Sequence, residues 1–321
     1  MPGQRPIAPK PFFFLPLRGK PAREAPSGHE RFQSMTGWLE LEIEVISDYL
    51  YVGSGQFELR SVQGQEQAVY AFTRRNGQLI IPGTSIKGAV RSIVEAISNS
   101  CVRVKSRRER VRGSHNPRRC QNTLCPACRL FGSTGYRGRV HFTDAEPVGD
   151  IQPEIIKIAE LWPPRRADGR KFYHNRQFQP LDLRPAKNHR FLEVVSKKAR
   201  FHTRLIFENV ENEEMGLIVR ALGFDLHPED PQKVIYAFPV KLGGAKPRCL
   251  GSVRFVPKRL FCLDEGPKIL SSLLEGGRPE KVKPLLLRAL NTTRLLDEEA
   301  WRRFLAEIRS VVKEICPQGV Y

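Results

Sequence analysis

The chain has 321 residues, 40% of them hydrophobic, and carries 53 Lys and Arg against 34 Asp and Glu, a formal net charge of +19. This length and composition allow one large domain or two ordinary ones with a real core, and they exclude a chain that is disordered throughout. No run of about 18 apolar residues occurs, which excludes a membrane-spanning helix, so no membrane partner is expected. The excess of basic residues points to a polyanionic partner.

The first 35 residues are rich in Pro, Gly and basic residues and lack periodicity, which predicts an extended N-terminal arm. Its apolar stretch 12–15 is costly to leave in water. We therefore expect the arm to dock, either on a neighbouring subunit or on its own domain. After the arm, apolar residues alternate with glutamates over residues 38–47, which predicts a half-buried strand.

Two shorter strands are predicted at 69–72 and 79–81, separated by the turn signal Asn76-Gly77. A helix follows, for which Ser85 is the expected N-cap. Its apolar face is formed by residues at helical spacing, namely Ile86, Val90, Ile93, Val94 and Ile97.

Further strands are predicted to start at Val140 and to cover 201–207 and 253–255, with a second long helix at 215–224. This order is that of a β-α-β-β-α-β core with large insertions. A C-terminal packing helix, capped by Asp297, is predicted from apolar residues at helical spacing, which are Trp301, Phe304, Leu305, Ile308, Val311, Val312 and Ile315.

The positive charge is concentrated in two windows. Residues 101–139 contain 11 Lys and Arg and one Glu, and residues 163–204 contain 12 Lys and Arg and three acidic residues. Together these windows account for the whole net charge. We therefore expect two segments specialised for contact with phosphates on a nearly neutral scaffold.

Three cysteines in the first window predict a metal site. Cys120, Cys125 and Cys128 follow His115 with the spacing H-x4-C-x4-C-x2-C, which suits a tetrahedral ion. Zn²⁺ is expected, because sulphur and nitrogen ligands favour it over calcium or magnesium, and Cys101 is the alternative to His115 as the fourth ligand. Seven cysteines, an odd number, fit metal ligation in a reducing compartment better than a disulfide framework.

Two glycine-containing segments predict anion binding. The start of the first helix combines Ser85, Lys87 and Arg91 with the positive end of the helix dipole. A later loop surrounds Lys246 and Arg248 with Gly243 and Gly244, which permit close approach of a ligand backbone. The other candidate RNA contacts are Arg107, Arg108, Arg110, Arg137, Arg170 and Lys171, with Tyr173 as a base-stacking residue.

The segments IPGTSIKGAVRS (81–92), CQNTLCPACRLFGS (120–133) and KLGGAKPRCLGSVRF (241–255), in this order, resemble the RAMP superfamily. The resemblance covers about residues 36–256 and is greatest to the guide-RNA-binding backbone subunits of type III CRISPR effector complexes. It implies an α+β, ferredoxin-like (RRM-like) core with large insertions. The expected organisation is an arm at 1–35, a core at 36–260 with a zinc-binding insertion at 101–139 and a basic insertion at 150–200, and a C-terminal helical extension at 261–321.

In one position the chain departs from the family pattern. The family loop usually reads G-G-x-x-x-R-G-x-G, whereas this chain reads Arg248, Cys249, Leu250, Gly251, so that a cysteine replaces an expected glycine.

The resemblance implies a cytoplasmic protein of antiviral defence that binds guide RNA and target RNA and assembles with other subunits of the complex. Target-cleaving relatives carry an aspartate after the first strand, where this chain has Glu66 or Gln65, so we expect weak or no cleavage. The alternatives are a ribonuclease that uses Glu66, guide processing with His29 or His141 as general base, and a capping or scaffold subunit.

Overall fold

The computed structural model describes residues 11–26, 28–102, 113–161, 169–264, 268–309 and 314–317. Within these ranges the chain is a mixed α+β structure. The strands are β1 (Phe12–Leu15), β2 (Met35–Val45), β3 (Tyr49–Leu50), β4 (Gly53–Val62), β5 (Gln65–Phe72), β6 (Arg74–Arg75), β7 (Gln78–Leu79), β8 (Val140–Phe142), β9 (Glu146–Pro147), β10 (Glu154–Ala159), β11 (Arg170–Tyr173), β12 (His189–Ser196), β13 (Arg200–Val210), β14 (Phe224–His227), β15 (Asp230–Tyr236), β16 (Val240–Lys241), β17 (Ser252–Cys262) and β18 (Arg278–Glu280). The helices are α1 (Gly83–Ile97), α2 (Pro126–Phe131), α3 (Asn212–Ala221), α4 (Ile269–Leu274), α5 (Val282–Leu290) and α6 (Glu298–Arg309).

The main sheet has the strand order β16-β17-β2-β13-β8, and each neighbouring pair is antiparallel. Helix α1 lies in the chain between β2 and β8, and α3 lies between β13 and β17. The alternating apolar residues of β2, Leu39, Leu41, Ile43 and Val45, are fully buried, as predicted, and those of α1 at helical spacing are buried as well. The core therefore lies between this sheet and its two helices.

The glutamates of β2 lie on the opposite face of the main sheet, beside basic residues of the neighbouring strands. Arg259 Nε donates to Glu40 Oε2 at 2.6 Å, and Arg200 and Lys258 lie 3.7 and 3.4 Å from Glu42. These basic side chains are therefore paired with carboxylates of the same sheet.

A second sheet has the order β10-β12-β5-β4, with β3 added to β12. Its central pair, β12 and β5, is parallel and is joined at only two register positions, Phe191 with Val69 and Leu192 with Tyr70. The hairpin β6–β7 turns at Asn76 and Gly77, both with positive φ, as their sequence predicted.

The described part of the N-terminal arm docks on its own chain. β1 pairs antiparallel with β11, and Phe13 and Leu15 are buried. The Phe13 ring lies 5.8 Å from that of Phe172 and 6.0 Å from that of Phe304 in α6. The arm therefore docks on its own domain, which is one of the two expected docking partners.

The helix ends differ in part from the prediction. Ser85 does not cap α1, which starts two residues earlier; instead Asp144, from the segment after β8, accepts a hydrogen bond from the Gly83 backbone N–H at 2.8 Å. Sequence spacing misplaced this cap because the carboxylate comes from a distant segment. Asp297 does cap α6, accepting from the Ala300 N–H at 3.0 Å.

Helix α6 is shorter than the apolar spacing predicted. Its described residues run to Arg309, and Ile315 forms a backbone bridge with Gln177 instead of continuing the helix. Val311 and Val312 lie outside the described residues. In the described part of the chain, no helix has the length and hydrophobicity that crossing a bilayer requires.

A buried ion pair joins the start of β8 to α3, and it yields a stability prediction. Arg139 is 1% exposed and donates to Glu214 and to the Asn209 carbonyl oxygen. We expect Arg139→Ala to lower the free energy of unfolding in urea by about 3 kcal/mol, because it leaves the Glu214 carboxylate buried without its main partner. The control is Arg137→Ala, whose side chain is 59% exposed and pairs with Glu208, and which should cost less than about 1 kcal/mol. Equal losses for the two variants would contradict the assignment.

Candidate functional site

Four cysteine side chains meet at the end of α1. The sulphur atoms of Cys101, Cys120, Cys125 and Cys128 all lie within 4.8 Å of one another, and all four residues are buried. Cys101 Sγ is 3.3 Å from Cys128 Sγ, 3.5 Å from Cys125 Sγ and 3.9 Å from Cys120 Sγ. A tetrahedral ion with Zn–S bonds of about 2.3 Å holds its sulphurs about 3.8 Å apart. The four thiols can therefore bind a metal ion.

The four thiols of the cysteine group are coupled to one another and lie next to two guanidinium groups. Hydrogen bonds among the thiols raise the pKa of Cys101 and lower the pKa of Cys120, so the protons are shared within the group. Two guanidinium groups approach the sulphurs, with Arg23 Nε 3.4 Å from Cys120 Sγ and Arg91 Nη2 3.7 Å from Cys128 Sγ. Positive donors next to sulphur stabilise the thiolate that a metal ion requires.

The fourth member of the group is Cys101 and not His115. His115 is buried, with Nε2 3.3 Å from Asn99 Oδ1 and Nδ1 3.1 Å from Ser114 Oγ. The predicted set of His115 with three cysteines is thus corrected to four cysteines. Spacing favoured His115 because it is close in sequence, whereas Cys101 reaches the group because the end of α1 packs beside α2.

Three arginines predicted to contact RNA bind the protein itself. Arg91 Nε donates to Glu95 at 2.7 Å, and its Nη1 donates to the Gly132 carbonyl at 3.0 Å. Arg170 pairs with the same buried carboxylate, and burial lowers its pKa to about 10. Arg248 is buried and donates to the carbonyl oxygens of Ala159, Glu160 and Pro317. The prediction that these three arginines contact phosphates is therefore corrected: they bind groups of the protein itself.

The glycine loop is packed against β3 and the residue after it. A Cβ at Gly243, where φ is +78°, would lie 2.1 Å from the Tyr51 carbonyl oxygen, and the Gly244 N–H donates to that oxygen at 2.8 Å. These glycines permit close approach of a neighbouring backbone of the same chain, rather than of RNA as predicted. Cys249, at the position of the missing family glycine, also has a positive φ.

Cys249 is disulfide-bonded to Cys316. The expectation that the cysteines serve metal ligation rather than disulfides is therefore wrong for this pair. The two residues are 67 positions apart, and their spacing in the sequence gives no signal of the bond.

Three of the predicted RNA contacts line one pocket between α1, β11 and the glycine loop. Lys171, Tyr173 and Lys246 meet there, although they come from separate segments of the sequence. Sequence reasoning missed a fourth residue, Lys241, whose position directly before the glycine loop was the available signal. The pocket, of about 50 Å³, is lined by Ala89, Ser92, Ile93, Lys171, Phe172, Tyr173, Phe238, Pro239, Lys241, Lys246, Phe304 and Ile308.

Lys171 and Lys241 are held differently in this pocket. Lys171 Nζ lies 3.7 Å from the centroid of the Phe12 ring and 5.2 Å from that of Tyr173. Lys241 Nζ donates to the carbonyl oxygens of Cys249 and Leu250 at 3.0 and 3.2 Å. Burial lowers the pKa of Lys241 to about 7.

A family model of the RAMP superfamily matches residues 42–254. The chain belongs to the RAMP superfamily. The matched segment includes α1, β11, the glycine loop and all four cysteines of the group, so it covers the cysteine group and most of the pocket of this RAMP protein. Membership indicates a CRISPR-associated role in RNA binding. No curated protein matches the chain.

The remaining predicted RNA contacts of this RAMP protein are dispersed. Ser85 and Lys87 lie in the first turns of α1, and burial, followed by the charge of Arg91, lowers the pKa of Lys87. Arg137 is ion-paired with Glu208 at 2.6 Å. Three further predicted contacts lie outside the described residues, namely Arg107, Arg108 and Arg110.

The candidate catalytic residues of this RAMP protein have the following surroundings. Glu66 is exposed on β5, opposite Ser61 of β4. His29 Nδ1 lies 2.7 Å from Glu208, and His141 Nε2 lies 2.8 Å from the Gly138 carbonyl oxygen. Each candidate general base is therefore hydrogen-bonded within the chain.

The cysteine geometry predicts the metal content of two variants. The purified chain should contain about one thiophilic divalent ion, measured by mass spectrometry of the metals. Cys101→Ser should lose this ion because it removes a ligand, whereas His115→Ala should retain it. If His115→Ala lost the metal and Cys101→Ser kept it, the four-cysteine assignment would be overturned, as it would by a folded, metal-free wild type.

Lys241 predicts a pH dependence of stability. Its pKa is about 7 in the folded chain against an ordinary value of 10.5, so between these pH values the unfolded chain holds a proton that the folded chain has lost. Stability from this group therefore rises with pH from about 7 to 10 and falls as pH drops toward 7. Lys241→Met should flatten the rise in urea unfolding free energy across that window. Lys233→Met, an exposed lysine on β15, is the control and should keep the wild-type slope; an unchanged slope in Lys241→Met would refute the account.

Proposed function

We propose that this RAMP protein is a guide-RNA-binding subunit of a type III CRISPR effector complex, with guide RNA, target RNA and other subunits as its partners. The observation that carries the proposal is the convergence of Lys171, Tyr173, Lys241 and Lys246 on one pocket beside α1. Ammonium groups that converge from distant segments can bind the phosphates of an RNA strand. The aromatic ring beside them can stack on one of its bases.

The pocket is better suited to binding an RNA strand independently of its sequence than to recognising particular bases. Its lysines contact phosphates as point charges, and such contacts position a nucleic acid without specifying bases. Lys241, with a pKa of about 7, is partly protonated at neutral pH. A phosphate next to it favours the charged form, so we expect RNA binding to take up a proton at this residue.

The main sheet supports a ferredoxin-like assignment for the core. We propose that β2, α1, β8, β13, α3 and β17 are its six elements, in that chain order. Support comes from the antiparallel order β17-β2-β13-β8, in which the two β-α-β units interleave. The arm at 1–35, the core at 36–260 and the extension at 261–321 remain the proposed organisation.

We propose that Zn²⁺ is the ion of the cysteine group, held by Cys101, Cys120, Cys125 and Cys128. Four thiolates form a closed tetrahedral set of soft ligands, which is typical of structural zinc. When bound, the ion supplies folding free energy to the basic insertion, on the order of 10 kcal/mol in small model fingers. The insertion is thereby held beside α1, through Arg91 and Cys128.

We further propose weak or no strand cleavage by this subunit. The acidic residue at the expected position, Glu66, projects from the solvent-exposed hairpin of β4 and β5. Catalytic placement tolerates errors of only about 1 Å, and a carboxylate on an exposed strand lacks packing that fixes it.

The pocket assignment is tested with a double variant. Lys171→Ala/Lys246→Ala should bind single-stranded RNA about 10- to 100-fold more weakly in fluorescence anisotropy, because two phosphate contacts are lost. The slope of log affinity against log salt should fall by about 1.4, since each contact to a single strand contributes about 0.7.

The matched control is Lys233→Ala, which removes an exposed lysine from β15 and should leave affinity and slope unchanged. A thermal melt by circular dichroism checks that the double variant is folded. Wild-type affinity and slope in a folded double variant would remove the basis of the proposed function.

A further inference from the structure

One face of the second sheet exposes an aromatic residue. Phe57 on β4 is 60% exposed, and Leu59, two residues later on the same face, is 62% exposed. The β4–β5 register places Phe57 opposite Tyr70, with ring centroids 6.3 Å apart. Two aromatic rings on neighbouring strands thus form a partly solvent-exposed surface. Exposed aromatic rings of this kind can stack on a flat group of a partner.

Arg190 on β12 adds a third planar group, its guanidinium, to this surface. The parallel register places Leu192 opposite Tyr70, so Arg190, two residues before it, lies on the same face of the sheet. Its guanidinium carbon is 5.1 Å from the centroid of the Tyr70 ring. The Arg190 Nε is buried and has no hydrogen-bond acceptor among the described residues. Phe57, Tyr70 and Arg190 are hereafter called the planar row.

A cleft opens beside the planar row because β5 and β12 stop pairing. Their two register positions end at Val69 and Phe191, and toward Gln67 and His189 the strands are no longer joined. The cleft has a volume of about 500 Å³, within the usual range for small-ligand sites. Its lining residues are Gln67, Ala68, Tyr70, Glu160, Pro185, Ala186, Lys187, His189, Arg190 and Phe191.

The charge of the cleft favours an anionic occupant. Its lining contains two cations, Lys187 and Arg190, and one carboxylate, Glu160, which is already paired with Arg190. Lys187 is exposed at the rim. Flat groups that stack on bases, next to cations that contact phosphates, are the combination found on surfaces that bind single-stranded nucleic acid.

We propose that the planar row and its cleft form a second RNA surface, on which unpaired bases stack while Lys187 contacts the adjoining phosphate. The proposal rests on the proposed function, because it takes the ligand of this chain to be RNA. It assigns a separate site, since none of these residues lines the pocket of Lys171 and Lys246. A paired duplex hides the flat faces of its bases, so this surface selects single strands.

Phe57→Ala is the decisive variant, because an exposed side chain can be removed without loss of the core. It should bind a single-stranded oligoribonucleotide of about 20 nucleotides roughly tenfold more weakly, and a duplex of the same length as well as wild type does. Leu59→Ala is the matched control: it is equally exposed, apolar and on the same face, and it should change either affinity less than about twofold. Phe57→Tyr should retain wild-type binding.

Arg190→Lys tests the third member of the planar row. The substitution keeps the positive charge but removes the planar guanidinium group, so the affinity for single-stranded RNA should fall while the affinity for the duplex persists. Unchanged single-strand affinity in both Phe57→Ala and Arg190→Lys overturns the inference. A second copy of the chain is the rival occupant; equal losses in Phe57→Ala and Leu59→Ala, with a smaller mass by light scattering, would establish it and also overturn the inference.

The failures of the two proposals are distinguishable by comparison with Lys171→Ala/Lys246→Ala, which should weaken single-strand and duplex binding alike. If only that variant is impaired, the second surface is refuted and the pocket stands. If only Phe57→Ala is impaired, the pocket assignment is refuted and the second surface stands. A wild-type chain that binds neither RNA refutes both.

Discussion

The carboxylate of Glu95 joins the parts of the molecule on which both candidate sites depend. It is buried near the end of α1 and is paired with Arg91, one turn earlier, and with Arg170 of β11. Arg91 also reaches Cys128, so the helix is bound to the cysteine group. Arg170 precedes Lys171 in the strand that pairs with the N-terminal arm. Because a buried charge that loses its partner is strongly destabilising, this network favours one arrangement of helix, cysteine group and strand.

Some residues fix the walls of the pocket between α1 and the glycine loop, and others line it. The glycines of the loop approach the backbone of Tyr51, and Arg248 binds three carbonyl oxygens from the segments on either side. These contacts fix the path of the loop. Lys171, Lys241 and Lys246 line the pocket between this loop and α1. Charge alone therefore does not identify a phosphate contact in this protein, since Arg248 holds the scaffold and Lys241 is itself buried against two carbonyl oxygens.

The strongly periodic elements were predictable, and the contacts between distant segments were not. The alternation in β2 and the helical spacing in α1 gave both elements, and three of the four clustered cysteines followed from their spacing. Cys101 was predicted only as the alternative to His115, because spacing does not show the packing of α1 against α2 that brings it there. The second sheet was largely missed, since β12 is a continuous buried run and β4 is exposed on both faces, so neither alternates. A sequence also shows the charge of an arginine but not its partner.

The bond between Cys249 and Cys316 makes the end of the chain a covalent part of the glycine loop. It closes a loop of the chain that contains α4, α5 and α6. A closed loop of this size lowers the conformational entropy of the unfolded chain, which stabilises the folded state by about 4 kcal/mol. The tail is held on both sides of the bond, since the Cys316 N–H donates to the Gln177 carbonyl and the Pro317 carbonyl accepts from Arg248. The motions of the glycine loop and of residues 314–317 are consequently correlated, and a chain that lacks Cys316 loses the covalent link between them.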